Sequence, residues 1–164
     1  MSISHEDEII SLGSCFSSEI GNLMKLDGYK IENNPFGVLF NPASIANSIA
    51  RLQSKTPFVT EDVVPRNTNP VYNPEKYIDE GYTSFFHHGS FKRESPEEFL
   101  KNANTSLCRA SENFEKAKWV IITFGTSWVY RHIEKDIIVS NCHKHPAKEF
   151  RREFLSIEEI VNLY

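Results

Sequence analysis

The sequence predicts an α/β fold, a three-layer sandwich around a short, mostly parallel sheet. Three observations carry this. The run Ile9-Ile10-Ser11-Leu12-Gly13 reads as a buried strand that breaks at a glycine directly before a helical segment. From there to Leu52 the pattern alternates strand, helix, strand, helix. Farther on, a long helical stripe leads into Trp119-Val120-Ile121-Ile122-Thr123-Phe124, the strongest buried-strand signal in the chain.

The elements follow in order. After the first strand, Ser17 to Leu26 carries Ile20, Leu23 and Met24 at helical spacing, and Asp27-Gly28 reads as its stop. Tyr29-Lys30-Ile31 resumes an extended run. Asn41-Pro42 reads as a helix cap followed by a first-turn proline, and Ile45, Ala46, Ile49 and Leu52 form one apolar face. Residues 56–95, rich in Pro, Asn, Tyr, Phe and His, have no helical period and read as an irregular insertion, with a hairpin near Tyr82 to Phe91. Ser95 with Glu98 fits a capping box, and the stripe Phe99, Leu100, Ala103, Leu107, Ala110, Phe114, Ala117 makes a long helix. Asp136 to Val139 is a further short strand. Ser156 opens a last helix that is expected to run on to the final residue, Tyr164, as in the N-terminal part of a longer protein.

Bulk properties narrow the function classes. A chain of 164 residues supports one core, so 1–164 reads as a single domain. A net charge of −4 argues against a polyanion such as nucleic acid as partner. No apolar run approaches membrane-spanning length, and the acidic N-terminus lacks a signal-peptide pattern. Three cysteines make no disulfide framework, so a reduced, cytoplasmic protein without a membrane partner is expected.

Two strand ends then look alike: Gly13-Ser14-Cys15 and Gly125-Thr126-Ser127. Ligands in open α/β sheets sit beyond the carboxyl ends of strands, so both loops border one expected site. Gly37, after the second strand, brings a third backbone to the same rim. Ser14 and Cys15 are both nucleophile-capable, and a following helix offers N–H groups to a developing anion. Cys142, His143 and His145 lie close in sequence, but their spacing is not that of a zinc site. No glycine-rich phosphate cradle or dinucleotide fingerprint is present. No cofactor and no metal are expected.

The arrangement resembles the SGNH hydrolases. More closely, the chain is similar to the GSCFA-domain family, a bacterial branch placed with those enzymes. The resemblance rests on Gly13-Ser14-Cys15-Phe16-Ser17, Asn34-Pro35-Phe36-Gly37, Asn41-Pro42 with Ser44-Ile45-Ala46, the His88 to Phe91 region, Gly125-Thr126-Ser127-Trp128-Val129-Tyr130 and Asn141-Cys142-His143-Lys144. It implies an SGNH-like sandwich and an ester hydrolase or acyltransferase acting on an O-acyl ester, a small molecule or a carbohydrate. It places the nucleophile at Cys15, with Ser14 in the neighbouring aspartate column. Gly37 falls on the oxyanion glycine and Ser127 on the oxyanion asparagine. His88, Asn141 and His143 become substrate contacts. The SGNH pattern departs at Ser127-Trp128, where those enzymes carry Asn-Asp, and the C-terminal Asp and His are missing. The resemblance therefore implies a missing C-terminal half as partner. The alternative is a non-catalytic ligand- or glycan-binding module, or a truncated domain.

Overall fold

The computed structural model describes residues 2–66 and 81–164. The part of the expected insertion at 67–80 lies outside the described residues. The described chain is a mixed α/β structure whose strands divide among three small sheets.

The first sheet is parallel and carries the site. Strand β1 (Glu8–Gly13) lies between β2 (Lys30–Asn33) and β5 (Trp119–Thr123). The register sets Ile10 beside Glu32 and Val120, and Gly13 beside Thr123. Strand β1 is buried along almost its whole length, as a central parallel strand requires. Its alternate side chains serve different layers. Ile10 and Leu12 join Phe99, Ala103, Leu107 and Ala110 of α3 (Pro96–Lys116) in the main core. Ser11 instead donates its hydroxyl to Asn33 Oδ1, at 2.9 Å. Asn33 Nδ2 in turn donates to Ser18 O of α1 (Cys15–Leu26), at 2.9 Å. Helices therefore cover both faces of this sheet.

The helix starts read from sequence are present. Asn41 caps α2 (Pro42–Ser54) by accepting from Ser44 N at 2.8 Å, and its Nδ2 donates to Val139 O at 3.3 Å. One amide thus fixes a helix start and ties it to β7 (Ile137–Val139). Ser95 accepts from Glu98 N at 3.2 Å to start α3. Phe99 is fully buried, and truncating such a side chain to alanine costs about 3–5 kcal/mol.

The remaining strands depart from the expected single, mostly parallel sheet. Strand β6 (Trp128–His132) pairs antiparallel with both β7 and β8 (Phe150–Phe154). Parallel pairing needs a crossover of about a dozen or more residues, usually through a helix. No helix longer than one 3₁₀ turn separates these strands, so they fold back on each other.

The expected hairpin near Tyr82 to Phe91 is also replaced. Strand β4 (Tyr82–Ser84) pairs antiparallel with β3 (Val63–Pro65), and residues Gly89–Phe91 form a 3₁₀ turn. The segment contributes to the core rather than lying over it: Phe58, Thr83, Ser84, Phe85 and His87 are buried.

The last helix, α4 (Ile157–Val161), is shorter than expected, and Asn162 caps its C-terminal end. Tyr164 therefore lies beyond it, donating its hydroxyl to Pro42 O at 2.7 Å. Among the described residues, no helix is long and apolar enough to cross a membrane.

Candidate functional site

Three loops meet at the carboxyl end of the parallel sheet, and specific bonds hold them together. Gly13 ends β1 with φ +149°, and an added Cβ there would lie 2.2 Å from Thr123 O. Only glycine permits this approach of two strand ends. Ser14 N–H then donates to both Thr123 O and Thr123 Oγ1, each at 3.1 Å. Its hydroxyl pairs with Thr123 Oγ1 at 3.1 Å. Ser14 is buried and leaves the helix it precedes without a side-chain cap. Its side chain therefore ties β1 to β5.

Cys15 follows as the first residue of α1 and is an exposed, free thiol. The first N–H groups of a helix have no intrahelical acceptor, and the helix dipole places partial positive charge there. With no cap from Ser14, the start of this 12-residue helix is open to an anion beside the thiol.

Asn34 organises the rim from the β2 side. Its Oδ1 accepts from Gly13 N at 2.7 Å, and its Nδ2 donates to Ser18 Oγ at 2.7 Å. Leu39 N donates to Gly13 O at 2.8 Å, so the loop after β2 wraps the end of β1. Gly37 sits in that loop with φ +79°. An added Cβ would lie 2.4 Å from His88 Cβ, so the glycine is needed both for its conformation and for the contact. The Gly37 N–H donates to Asn34 O at 2.8 Å. That donor is committed to the turn, which leaves the first turn of α1 as the source of unbonded main-chain donors near Cys15.

His88 adjoins Gly37. Its main-chain N–H donates to Phe36 O at 3.0 Å, and its Nδ1 pairs with Ser90 Oγ at 3.0 Å. Burial, with a smaller contribution from the Arg66 charge, lowers its pKa, so the ring is neutral at pH 7. Ser127 lies on the loop after β5, with its carbonyl accepting from Leu155 N at 3.0 Å. The preceding Gly125 and Thr126 N–H groups both donate to Phe40 O, at 2.8 and 3.1 Å.

Asn141 and His143 belong to a second, buried cluster. Asn141 Oδ1 accepts from His143 N at 2.8 Å, and His143 Nε2 bonds Ser84 O at 2.8 Å. The Ser84 hydroxyl pairs with His87 Nδ1 at 2.7 Å. His87 is fully buried among Phe36, Phe58, Phe91 and Phe99. Desolvation lowers its pKa to about 3 and that of His143 to about 4. Burial raises the Cys142 thiol to about 11. Ser84 links His143 to His87, Cys142 packs with Phe85 and Val139, and the dipeptide His87-His88 joins this cluster to the rim.

Ser14, Cys15, Gly37 and His88 thus gather with Asn34 and Thr123 around the sheet end, with Ser127 on the adjoining loop. Asn34 and Thr123 were not among the predicted site residues. An asparagine tolerant of positive φ, here +47°, was the available signal for Asn34. Among the described residues, no three His, Cys, Asp or Glu side chains cluster to hold a metal.

A groove of about 660 Å³ lies elsewhere, between α2 and β7. Its lining includes Ser44, Arg51, Phe86, Arg131 and Ile138 and none of the predicted site residues. Arg51 is held by Thr56 O, Pro57 O and Asp62, and Arg131 by Glu153 and Asp136. Both cations are engaged, and no thiol or imidazole lines this space. The chemistry favours the sheet end.

A model of the GSCFA family matches residues 8–164. Neither the curated proteins nor the solved structures provide a match.

Proposed function

The chain belongs to the GSCFA family, and we propose that its sheet end performs SGNH-like acyl transfer on an O-acyl ester. The observation that carries this reading is Cys15: an exposed thiol at the first position of an uncapped helix, directly beyond a central parallel strand. In the proposed step the Cys15 thiolate attacks the acyl carbonyl carbon. The tetrahedral oxyanion is held by the first-turn N–H groups of α1. The C–O bond then breaks, the alcohol leaves with a proton, and a thioester remains on Cys15. Water completes a hydrolysis; a second hydroxyl completes a transfer.

Among the described residues none is hydrogen-bonded to the Cys15 thiol, so a general base has to be brought to it. The resemblance assigns that base to a C-terminal half of an SGNH-like three-layer sandwich. Neutral His88, beside Gly37, borders the substrate, with a carbohydrate ester as the favoured class. Asn141 and His143 then act by shaping the core behind His88.

The unpartnered thiol also supports a second reading, a binding module in which the same rim holds an ester or glycan without turnover. Release of p-nitrophenol from p-nitrophenyl acetate separates the two. Turnover lost in Cys15→Ala supports the enzyme. No turnover above that variant, even on addition of imidazole as an external base, leaves the binding module.

A further inference from the structure

We propose that Ser90 fixes His88 as a neutral imidazole with its hydrogen on Nε2, and that this outward N–H is a specificity-determining donor to an oxygen of the substrate. The inference rests on the acyl-transfer reading of the sheet end. It also excludes His88 as the base that Cys15 lacks.

The surroundings of Nδ1 place the hydrogen. Residues Gly89–Phe91 form a 3₁₀ turn, and His88 stands at its start as the capping residue. Two groups of Ser90 converge on the same ring nitrogen: the main-chain N–H at 3.3 Å and the hydroxyl at 3.0 Å. A main-chain N–H can only donate, so Nδ1 must offer its lone pair. In a neutral imidazole the hydrogen is then on Nε2. Burial, with a smaller contribution from the Arg66 charge, lowers the His88 pKa and so opposes a second hydrogen on Nδ1.

Nε2 is the nitrogen left for a ligand. Among the described residues it has no hydrogen-bond partner. His87 Nε2 and His143 Nδ1 lack partners too, but both are sealed inside the protein, whereas His88 is half-buried and its Nε2 is open. The ring stands on the loop that wraps the end of β1. Its Cβ adjoins Gly37, its main-chain N–H donates to Phe36 O, and Leu39 N of that loop donates to Gly13 O. The Gly37 N–H is committed to Asn34 O. His88 therefore supplies a donor on the side of the rim where Gly37 does not.

This arrangement limits the chemistry. A nitrogen that carries hydrogen cannot take a proton, and the Nδ1 lone pair is held by Ser90, so neither serves Cys15 as a base. A neutral N–H asks only for an acceptor lone pair, which the hydroxyl and ring oxygens of a sugar provide. A cationic alcohol group is disfavoured, because it meets the positive end of the N–H dipole. It also meets the Arg66 guanidinium, whose terminal nitrogens lie 3.9 Å from where a Gly89 Cβ would stand.

Long-range proton–nitrogen correlation NMR of the full chain reads the tautomer, with the His88 signals assigned by their loss in His88→Asn. A neutral ring with hydrogen on Nε2 is expected at pH 7; hydrogen on Nδ1, or a charged ring, overturns the proposal. Two variants separate the outward donor from the cap. Asparagine keeps an acceptor for Ser90 N but reaches no farther than Nδ1; glutamine reaches as far as Nε2 and gives up the cap. The readout is the ratio of kcat/KM for the anomeric acetate of glucose to that for p-nitrophenyl acetate, with imidazole as external base. His88→Asn should lower this ratio about 2- to 10-fold, and His88→Gln should hold it near the wild-type value. A ratio that falls only in His88→Gln, or in neither variant, overturns the donor role while wild-type turnover persists. Wild-type turnover that is absent on both esters, or that survives Cys15→Ala, overturns the acyl-transfer reading and the donor role with it, and the tautomer is still decided by NMR.

Discussion

Acidification from pH 7 to pH 5 should destabilise this protein strongly, because two histidines are folded into places where they cannot carry charge. His87 lies in an aromatic cage and His143 beneath β4, with desolvation lowering their pKa values to about 3 and about 4. An unfolded histidine titrates near 6.5. The folded values lie below the unfolded ones, so the unfolded chain takes up protons first. The contribution is complete above about pH 6.5 and is lost as pH falls towards the folded values. Between pH 7 and pH 5 each histidine accounts for about 2 kcal/mol, so the pair accounts for about 3–4 kcal/mol. That is a large part of a typical stability of roughly 5–15 kcal/mol. His88, lowered in the same direction, adds to the slope. Asp7, held down to about 2 by its bonds to Lys118 and Trp119, stays ionised throughout this window. Urea unfolding at pH 7, 6 and 5 measures the loss, and His87→Phe should reduce it by about half. Stability flat to within about 1 kcal/mol between pH 7 and pH 5 would refute the buried, neutral cluster.

Further outcomes follow from the rim. Gly37→Ala should destabilise by about 1–3 kcal/mol or more, since its Cβ would collide with His88 at a positive φ; the shift in urea midpoint measures this. Asn34→Ala removes the acceptor for Gly13 N and the donor to Ser18 Oγ, at a cost of about 1–3 kcal/mol. It should also loosen the Gly13 loop, read as faster amide exchange at Gly13 and Ser14. Ser14→Ala loses one hydroxyl pair with Thr123, about 0.5–1.5 kcal/mol, and should leave acylation of the chain intact by mass spectrometry.

The sequence was most legible where local rules decide. The α1, α2 and α3 starts carry their caps or glycine break in the immediate sequence, and Ile10, Leu12 and Phe99 show their burial through periodicity. The antiparallel sheet was harder to see. Strands β3 and β4 have three residues each, too few for an alternation to register, whereas β7 falls inside the short strand read at Asp136 to Val139. Strand β8 reads Phe-Arg-Arg-Glu-Phe and takes its partner from β6, a nonlocal choice. The missing helical period in 56–95 read as an irregular insertion, whereas Phe58, Phe85 and His87 build core there. At the site, Cys15 was visible as a strand–glycine–helix junction. The separation of His143 from the rim was not, because burial of a histidine depends on what packs around it. The commitment of Gly37 N–H to Asn34 O likewise follows from turn geometry that the motif alone does not state.

The central claim is that the position of Cys15 activates it, and the chain contains its own control. Cys108 is also an exposed free thiol, but it sits inside α3 beside Glu112 rather than at a helix start. Acylation of both by a neutral activated ester, followed by site-resolved mass spectrometry, compares them in one sample. A helix N-terminus favours a nearby anion by roughly 0.3–2 kcal/mol, so Cys15 should react about 2- to 30-fold faster than Cys108 in the folded chain. The advantage should vanish in denaturant. Equal rates in the folded chain, or acylation at Ser14 in place of Cys15, would contradict the account.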